Sequence, residues 1–370
     1  MVQLIYILSS CLMAFIATHL AIPVIIDIAK KKNLVARPNR RSSHYRVVPT
    51  LGGIAIFSGL CLSFLLFSNL DKIPGFQYFL FGMVFVFFLG LNDDISVSSP
   101  YFKMLGLAIA VSIIVILGDF RIKSFYGFFW IYEINYISSV FITILFFLVI
   151  INSMNLIDGI DTLCASLSIL SSITFGIYFF FFDDIIISKE LVILSAALTG
   201  SLIAFLRFNV SPAKIFMGDT GSLIIGLILA FFAVQFININ DASSSIYKFS
   251  TPPVFALSFL CIPVCDMIKV FAIRIWRKRS PFQADKRHVH HLLVDLGMTH
   301  LQTSLIITSA SILLIVLSLW LQYIQLGFYT IFVLILGMFL VCIPNILNNI
   351  RGINFSSEIE NKHIQSCASY

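Results

Sequence analysis

Charged side chains are scarce in this 370-residue chain. Asp, Glu, Lys and Arg make up 11% of the residues, whereas 59% are hydrophobic. A mean hydropathy of +0.99 is more than a soluble domain of this length can bury, which excludes a soluble globular protein. The chain also lacks an internal repeat and a polar segment of domain size. The composition therefore predicts a polytopic membrane protein, and the 38 phenylalanines fit a surface that faces lipid.

The cysteines lack any regular pattern. Seven are scattered along the chain, and only Cys261 and Cys265 lie close together, on one apolar segment. This spacing does not match a zinc site or the disulfide framework of a small secreted domain. We interpret the cysteines as small hydrophobic residues. The apolar run over 1–28 lacks the basic start of a signal peptide, so we expect it to be a retained first span.

Long apolar runs occupy most of the chain. A spanning helix needs about 20 apolar residues, and eleven runs approach or exceed that length, with ten as the alternative count. The third run is short, and the aromatic segment 119–136 is typical of the membrane interface. The predicted fold class is therefore an all-α polytopic membrane protein. The predicted spans are 4–28, 50–69, 77–92, 102–118, 137–154, 163–182, 188–206, 222–238, 253–274, 303–322 and 327–344.

The distribution of Lys and Arg predicts the orientation. With the N-terminus outside, 18 of these residues fall on cytoplasmic segments and five fall outside. This bias follows the positive-inside rule and places the C-terminus in the cytoplasm. We expect a single transmembrane domain over 1–344 and a polar cytoplasmic tail over 345–370. The predicted cytoplasmic loops are 30–48, 93–101, 155–162, 207–221 and 275–301.

Five aspartates fall on the predicted cytoplasmic side: Asp93, Asp94, Asp158, Asp161 and Asp219. Ionisable groups at membrane depth are costly and by default indicate a functional site. Simpler interpretations remain open. The adjacent pair suits a solvated helix end or a cap, and the other three suit helix N-termini, which favour acids.

Two motifs carry more detail. Asn155, Asp158 and Asp161 are three residues apart, so we expect them to share one helix face that suits a polar substrate. The segment Phe216-Met-Gly-Asp219-Thr-Gly-Ser precedes a span. Its glycines let a ligand approach the backbone closely, Asp219 is a hard oxygen ligand, and Phe216 offers an aromatic face for a base.

The loop 275–301 holds five basic residues and a histidine trio, and a sixth basic residue, Arg274, directly precedes it. We interpret it as a cradle for phosphates. A plain positive-inside loop explains the basic residues equally well, and a zinc site lacks the usual ligand spacing. The first loop is also basic, although attraction to lipid headgroups explains its lysines. Asp266 and Lys269 are three residues apart, which favours a structural ion pair.

Carboxylates opposite a cationic loop suit a divalent metal and phosphates. Mg²⁺ typically takes one or two carboxylates together with phosphate oxygens, and phosphoryl transfer needs mainly positioning and charge stabilisation. A site at the membrane surface suits one water-soluble and one lipid reactant, which predicts transfer onto a lipid phosphate. A transporter of lipid-linked sugars is the competing class. It should show acids at several depths and a repeat of helices, and the sequence shows neither.

In their order along residues 30–300, the motifs resemble those of the polyprenyl-phosphate N-acetylhexosamine-1-phosphate transferases. The loop that ends in His-Val-His-His is most similar to the undecaprenyl-phosphate N-acetylglucosamine-1-phosphate transferases. The resemblance implies a Mg²⁺-dependent enzyme, with Mn²⁺ as a substitute. The reactants would be a UDP-N-acetylhexosamine, foremost UDP-GlcNAc, and undecaprenyl phosphate, and the products a polyprenyl-diphosphate-sugar and UMP.

The resemblance also implies a setting. The implied reaction is the first membrane step of cell-envelope polysaccharide synthesis, for example of lipopolysaccharide, at the cytoplasmic face of the bacterial inner membrane. It implies no nucleic acid partner and leaves a homodimer open.

The resemblance assigns roles to individual residues. The implied metal ligands are Asp219, Asp93 and Asp94. The implied catalytic residues are Asp93, Asp94, Asp158, Asp161, His290 and His291. The implied substrate-binding residues are Asn155, Phe216, Lys103, Asn209, His288, Arg287, Lys286 and His44. The chain departs from the family where Ala36 replaces a frequent Asp and Thr162 a frequent Gly. Its first loop also resembles relatives that use 6-deoxy-N-acetylhexosamines, which leaves the sugar open.

Overall fold

The protein is built mainly from α-helices. A computed structural model describes residues 2–32, 34–36, 48–70, 73–96, 98–128, 130–182, 185–242, 248–280, 287–321 and 326–350. The helices in these ranges are α1 (Val2–Lys31), α2 (Gly52–Phe67), α3 (Phe76–Ile95), α4 (Pro100–Ser112), α5 (Tyr136–Ile157), α6 (Leu163–Phe181), α7 (Ile186–Asn209), α8 (Gly218–Ala242), α9 (Pro252–Trp276), α10 (Val289–Asp295), α11 (His300–Leu321) and α12 (Leu326–Ile350). A π-helical segment, Ile113–Leu117, continues α4.

The spanning helices confirm the predicted fold class. Each of the eleven predicted apolar runs corresponds to one helix, and within the described ranges ten helices are long and apolar enough to cross a membrane. Helix α2 has only 16 residues and a length of about 24 Å, which is less than the roughly 30 Å of hydrocarbon in a bilayer. The expectation of a short third span was wrong. Helix α3 has 20 residues because the polar residues after Leu91 continue it to Ile95.

Helix α8 lies at the centre of the bundle. Its apolar window is 94% buried, against 17% for α1 and 22% for α12. A helix that is apolar all round belongs in the interior, and α8 packs against α2, α3, α5, α6 and α9. The site at the end of α8 is therefore surrounded by other helices.

Many phenylalanines fill this interior instead of facing lipid. The rings of Phe79 and Phe231 stack with centroids 3.8 Å apart, and Phe175 meets Phe259 edge-on at 4.6 Å. Of the twelve largest fully buried side chains in the described chain, all except Tyr329 are phenylalanines. The expectation of a lipid-facing role was therefore wrong for these residues, because aromatic rings fill the space between the helices.

The described cysteines are free thiols. The Sγ atoms of Cys261 and Cys265 lie 3.7 Å apart within α9, and both residues are buried among apolar neighbours. This agrees with their interpretation as small hydrophobic residues.

Two short antiparallel hairpins lie at opposite ends of the bundle. Strands β1 (Val35–Ala36) and β2 (Val48–Pro49) pair between α1 and α2. Strands β3 (Ser124–Phe128) and β4 (Ile131–Glu133) pair between α4 and α5. The aromatic segment 119–136 thus contains a hairpin, and Trp130 near its turn is 88% exposed, which suits an aromatic belt at a membrane interface.

Two glycines bring α2 and α3 into backbone contact with the first turn of α8. A Cβ atom on Gly53 would lie 2.1 Å from the backbone nitrogen of Gly221, and one on Gly90 would lie 2.6 Å from the Cα of Thr220. No side chain fits at either position. The close approach sets where the C-terminal end of α3 meets the start of α8, and the acidic residues lie at this junction.

Candidate active site

The ammonium group of Lys103 joins four helix ends. Its Nζ atom lies 3.2 Å from Oδ2 of Asp93 and 3.4 Å from Oδ1 of Asn155, and it donates a hydrogen bond to Oδ2 of Asp219. These residues come from the end of α3, the start of α4, the end of α5 and the start of α8. Residues that are far apart in the sequence thus form one charged cluster, which we call the Lys103 cluster.

The two carboxylates of the Lys103 cluster face each other. Asp93 and Asp219 both contact Nζ of Lys103, and Asp219 also accepts a hydrogen bond of 2.7 Å from Nδ2 of Asn155. Like charges this close repel each other unless a cation or a proton offsets them. Lys103 supplies one positive charge against two negative charges, so the cluster can attract a further cation.

Asp94 has a different position from its neighbour Asp93. Its Oδ1 atom accepts the Asp219 N–H at 2.8 Å, and its Oδ2 atom accepts the Thr220 N–H at 2.9 Å and the Thr220 hydroxyl at 2.6 Å. A carboxylate that accepts the first free N–H groups of a helix caps that helix. Asp94 therefore caps α8 from α3, and both of its oxygens are engaged.

Asp158 and Asp161 lie in a turn, not on the helix face that their spacing predicted. Helix α5 ends at Ile157, so Asp158 is its C-cap, and only Asn155 remains on the helix. That expectation was wrong because the chain leaves the helix before completing the turn. Burial, followed by the charges of Asp219, Asp94 and Asp161, raises the pKa of Asp158 well above its usual value. Among the described residues, no group donates a hydrogen bond to its carboxylate.

Asp161 points away from the Lys103 cluster. Its Oδ2 atom accepts the Ala213 N–H at 3.3 Å and lies 3.3 Å from Nδ1 of His300. Burial alone would raise the pKa of Asp161, but the nearby His300, the Ser211 hydroxyl and the Ala213 N–H stabilise its charge, and the net pKa is lowered. Sequence reasoning missed His300, because nothing in the local sequence links it to a residue so distant in the chain.

The side chain of Asn209 connects two loops. Its Oδ1 atom accepts the Thr162 N–H at 2.7 Å, and its Nδ2 atom donates to the Ile215 carbonyl at 2.9 Å. The amide that was expected to contact substrate thus holds the turn after α5 against the segment before α8. Thr162 has a φ of +71°, a left-handed conformation that favours glycine. This conformation suits the glycine that the family resemblance implies at this position.

The segment that carries Phe216 is attached to the start of α2. The Phe216 N–H donates to the Pro49 carbonyl at 2.8 Å, and the Phe216 carbonyl accepts the Gly52 N–H at 2.9 Å. The Phe216 side chain is half-buried. The first loop and the aspartate motif of α8 are therefore joined through their backbones.

The histidine trio lies at the start of α10. His290 is 1% exposed, and its Nε2 atom would lie only 2.2 Å from a Cβ atom on Gly159, so it packs on the turn beside Asp158. Within the described part of the chain, neither ring nitrogen of His290 has a hydrogen-bond partner. Burial, followed by the neighbouring imidazoles of His291 and His288, lowers the pKa of His290 well below its usual value. His290 is therefore neutral at pH 7.

The structure describes some, but not all, of the other loop residues that were predicted to bind substrate or take part in catalysis. The His291 ring lies 4.3 Å from the His290 ring, and Arg287 is half-buried. Nδ1 of His288 lies 2.7 Å from Oδ2 of Asp266. Lys286 and His44, both expected to bind substrate, lie outside the described residues.

The predicted Asp266–Lys269 pair is present, with an Nζ–Oδ1 distance of 2.9 Å. Because His288 and the Val289 N–H also contact Asp266, this pair connects α9 to the histidine loop. No local sequence pattern indicates that connection.

The donors around Lys103 fit a hard divalent cation. Asp93, Asp219 and the Asn155 amide oxygen are oxygen donors, the ligand type that Mg²⁺ prefers. Among the described residues no group of three His, Cys, Asp or Glu side chains could by itself hold a metal ion. The His288 and His290 rings are stacked nearly parallel, with centroids 5.8 Å apart.

The fold and the site define a polytopic membrane protein with an acidic, lysine-bridged polar site at one end of its bundle. Residues 76–237 match the family model described as glycosyl transferase family 4. The chain is 30% identical over 319 residues to the undecaprenyl-phosphate alpha-N-acetylglucosaminyl 1-phosphate transferase of Yersinia pestis, a match that covers 84% of this chain and 81% of that protein. The chain belongs to glycosyl transferase family 4, which confirms the resemblance seen in its motifs.

Two further relatives give similar matches. The Escherichia coli (strain K12) enzyme of the same description is 29% identical over 319 residues, covering 84% of this chain and 82% of the enzyme. A Bacillus subtilis (strain 168) protein, described as a probable undecaprenyl-phosphate N-acetylglucosaminyl 1-phosphate transferase, is 29% identical over 334 residues, covering 88% and 89%. Many spanning helices and bacterial relatives imply a location in the inner, or cytoplasmic, membrane.

Proposed function

We propose that this protein transfers N-acetylglucosamine-1-phosphate from UDP-GlcNAc to undecaprenyl phosphate, giving undecaprenyl-diphosphate-GlcNAc and UMP. The observation that carries the proposal is the Lys103 cluster, in which Asp93 and Asp219 face each other across one ammonium group. The names of the relatives support the same reaction. In this chemistry most of the catalysis comes from positioning and charge stabilisation.

The reaction exchanges one phosphorus–oxygen bond for another. An oxygen of the lipid phosphate forms a bond to the β-phosphorus of the UDP-sugar, and the bond from that phosphorus to the bridging oxygen breaks. UMP leaves with the electron pair of the broken bond. Both reactants bring negative charge, and Lys103 can offset part of it once its contacts to Asp93 and Asp219 loosen.

We propose Mg²⁺, with Mn²⁺ as a substitute, as the cofactor held by Asp219 and Asp93. Such an ion would neutralise charge on the two reacting phosphate groups. Asp94 was expected to share the metal, but both of its oxygens are engaged in capping α8. We therefore assign Asp94 to holding Asp219 in place, and Asn155 to orienting the Asp219 carboxylate.

The sugar-nucleotide side of the site would use Asp158, His290 and Phe216. Asp158 has a raised pKa, which suits a carboxyl group that exchanges a proton with substrate. Neutral His290 has two ring nitrogens available for the diphosphate or the sugar, and Phe216 would stack on the uracil ring. UDP-sugars are cytoplasmic, and the Lys and Arg bias supports a site on the cytoplasmic face.

The identity of the sugar is the finer part of this proposal. UDP-GlcNAc is favoured by the names of the relatives and by the loop that ends in His290 and His291. The alternative is another UDP-N-acetylhexosamine, including 6-deoxy sugars, in the same reaction.

The proposal is tested with purified protein, undecaprenyl phosphate and a panel of radiolabelled UDP-sugars, reading the lipid product and the released UMP. We expect product from UDP-GlcNAc that disappears in EDTA and returns with Mg²⁺. Asp219→Asn should lower the rate by at least about 100-fold, because it removes a charged ligand at the reacting phosphates. Flipping of a lipid-linked sugar without UMP release would instead support a transporter.

Asp119→Asn is the matched control for this variant. Asp119 is an aspartate at the opposite end of the bundle, paired with Arg121 and Lys123, so we expect its substitution to leave the rate within twofold of the parent. Equal rates for Asp219→Asn and Asp119→Asn would refute the assignment of the reaction centre.

A further inference from the structure

Asp266 has more contacts than a neutralising ion pair requires. It is 1% exposed, and its Oδ1 atom accepts from Nζ of Lys269 at 2.9 Å and from the Val289 N–H at 2.8 Å. Its Oδ2 atom lies 2.7 Å from Nδ1 of His288. Lys269 alone balances the charge, so the contacts with His288 and Val289 must be explained separately.

Stability alone does not explain a buried ion pair at this place. Removing two charges from water costs free energy that their attraction offsets only partly, and apolar replacements are often as stable or more stable. The two contacts beyond Lys269 both cross from α9 to the start of α10. Asp266 thus fixes one helix relative to another.

Helix α10 depends on such contacts. It has only seven residues, and a helix of this length is not stable by itself. Its later part is held by apolar packing of Leu293 and by a hydrogen bond of 3.3 Å from Asn348 to the Leu292 carbonyl. At its first turn, Asp266 accepts the Val289 N–H directly and holds the side chain of the preceding residue, His288.

The residue that follows Val289 is His290, whose ring packs on Gly159 beside Asp158. Both of its ring nitrogens are buried without partners in the described chain. A buried polar group without a partner is rare and indicates a missing contact. The direction in which His290 points depends on the position of the first turn of α10.

We propose that Asp266 is a positioning residue that acts through His288 and Val289 to hold His290 against the turn at Gly159. The proposal rests on the proposed function, because it assigns His290 to the sugar-nucleotide side of that reaction. Asp266 itself does not touch the reactants.

The first test reads the position of α10 without any turnover. Hydrogen–deuterium exchange of the purified full chain is compared for the parent, Asp266→Asn and Asp119→Asn. We expect Asp266→Asn to speed exchange at least tenfold in peptides covering 288–295 and to leave those from α8 unchanged, while Asp119→Asn changes neither region. Unchanged exchange at 288–295 overturns the proposal.

The second test separates positioning from charge balance. We expect Asp266→Asn to lower kcat on the order of 10- to 100-fold, because misplacing a group by about 1 Å has an effect of this size. KM for undecaprenyl phosphate should stay within twofold. Asp266→Asn combined with Lys269→Gln restores neutrality but does not restore the charged acceptor, so the double variant should remain impaired. Recovery of kcat in the double variant would show that the pair only balances charge.

The third test links Asp266 to His290 through UDP-GlcNAc binding, measured by calorimetry. As a single substitution, Asp266→Asn should weaken UDP-GlcNAc binding. Added to His290→Gln, it should weaken that binding by less than twofold, because the residue that Asp266 positions is gone. An equal loss in both backgrounds means that Asp266 acts independently of His290. If the parent neither binds UDP-GlcNAc nor releases UMP, the proposed function fails, and the exchange measurement alone decides whether Asp266 positions α10.

Discussion

Substituting Asn at Asp93 and at Asp94 should have different effects, one mainly on catalysis and the other mainly on stability. In Asp94→Asn one carboxylate oxygen becomes an NH₂ group. If the amide oxygen stays with Thr220, the NH₂ group faces the Asp219 N–H and leaves that donor without an acceptor. An unmade hydrogen bond of this kind costs about 1–3 kcal/mol, and loss of a negative charge at a helix N-terminus costs about 0.3–1 kcal/mol. We expect Asp94→Asn to destabilise the protein by about 2 kcal/mol.

Asp93→Asn should have little effect on stability and a large effect on catalysis. The amide oxygen can keep the Ser98 N–H, which Asp93 now accepts at 2.7 Å. The lost contact with Lys103 is offset by relief of the repulsion from Asp219, so the change in stability should be smaller than about 1 kcal/mol. Because Asp93 is a proposed metal ligand, its variant should lose transfer at least tenfold more than Asp94→Asn and need more Mg²⁺ for half-maximal rate.

The two variants are compared by apparent Tm at one scan rate and by transfer at a series of Mg²⁺ concentrations. Asp119→Asn again serves as the control carboxylate. A normal apparent Tm for Asp94→Asn would refute its role as the cap of α8. Equal loss of stability and of Mg²⁺ response in both variants would show that the pair acts as one unit.

Three further predictions concern single residues. Thr162→Gly should stabilise the protein by about 1 kcal/mol, because it relieves a positive φ and removes a buried hydroxyl that has no partner among the described residues. Thr162→Ala keeps the φ strain and should stabilise the protein less. A lower apparent Tm for Thr162→Gly would contradict this prediction. His290 has a lowered pKa in the fold and one near 6.5 when unfolded, so the unfolded state binds the proton more readily and stability is lost as the pH falls below about 6.5. His290→Gln should flatten the apparent Tm between pH 5 and 7, and an unchanged slope would argue against this assignment. Phe216→Ala should raise KM for the UDP-sugar several-fold more than KM for the lipid, and an equal effect on both would count against stacking.

The roles of Asp93 and Asp94 show where reasoning from the sequence stops. Neighbours on a helix point about 100° apart, so the sequence predicts that they differ but not which partner each one meets. Asp93 meets Lys103 ten residues away, whereas Asp94 meets Thr220, which is 126 residues away. Only the contact between α3 and α8 at Gly90 brings the second pair together.

The sequence by itself determined the helical spans and the end of the bundle at which the acidic residues meet. In lipid every backbone N–H and C=O must be hydrogen-bonded within the protein, so long apolar runs form helices. Successive helices cross the membrane in alternating directions, which brings every second connection to the same side. The tertiary structure decided that α5 ends before Asp158, that phenylalanines fill the interior and that Asp266 holds the turn that carries His290. These outcomes depend on contacts between residues far apart in the chain, such as Asp266 with His288, and local spacing does not encode them.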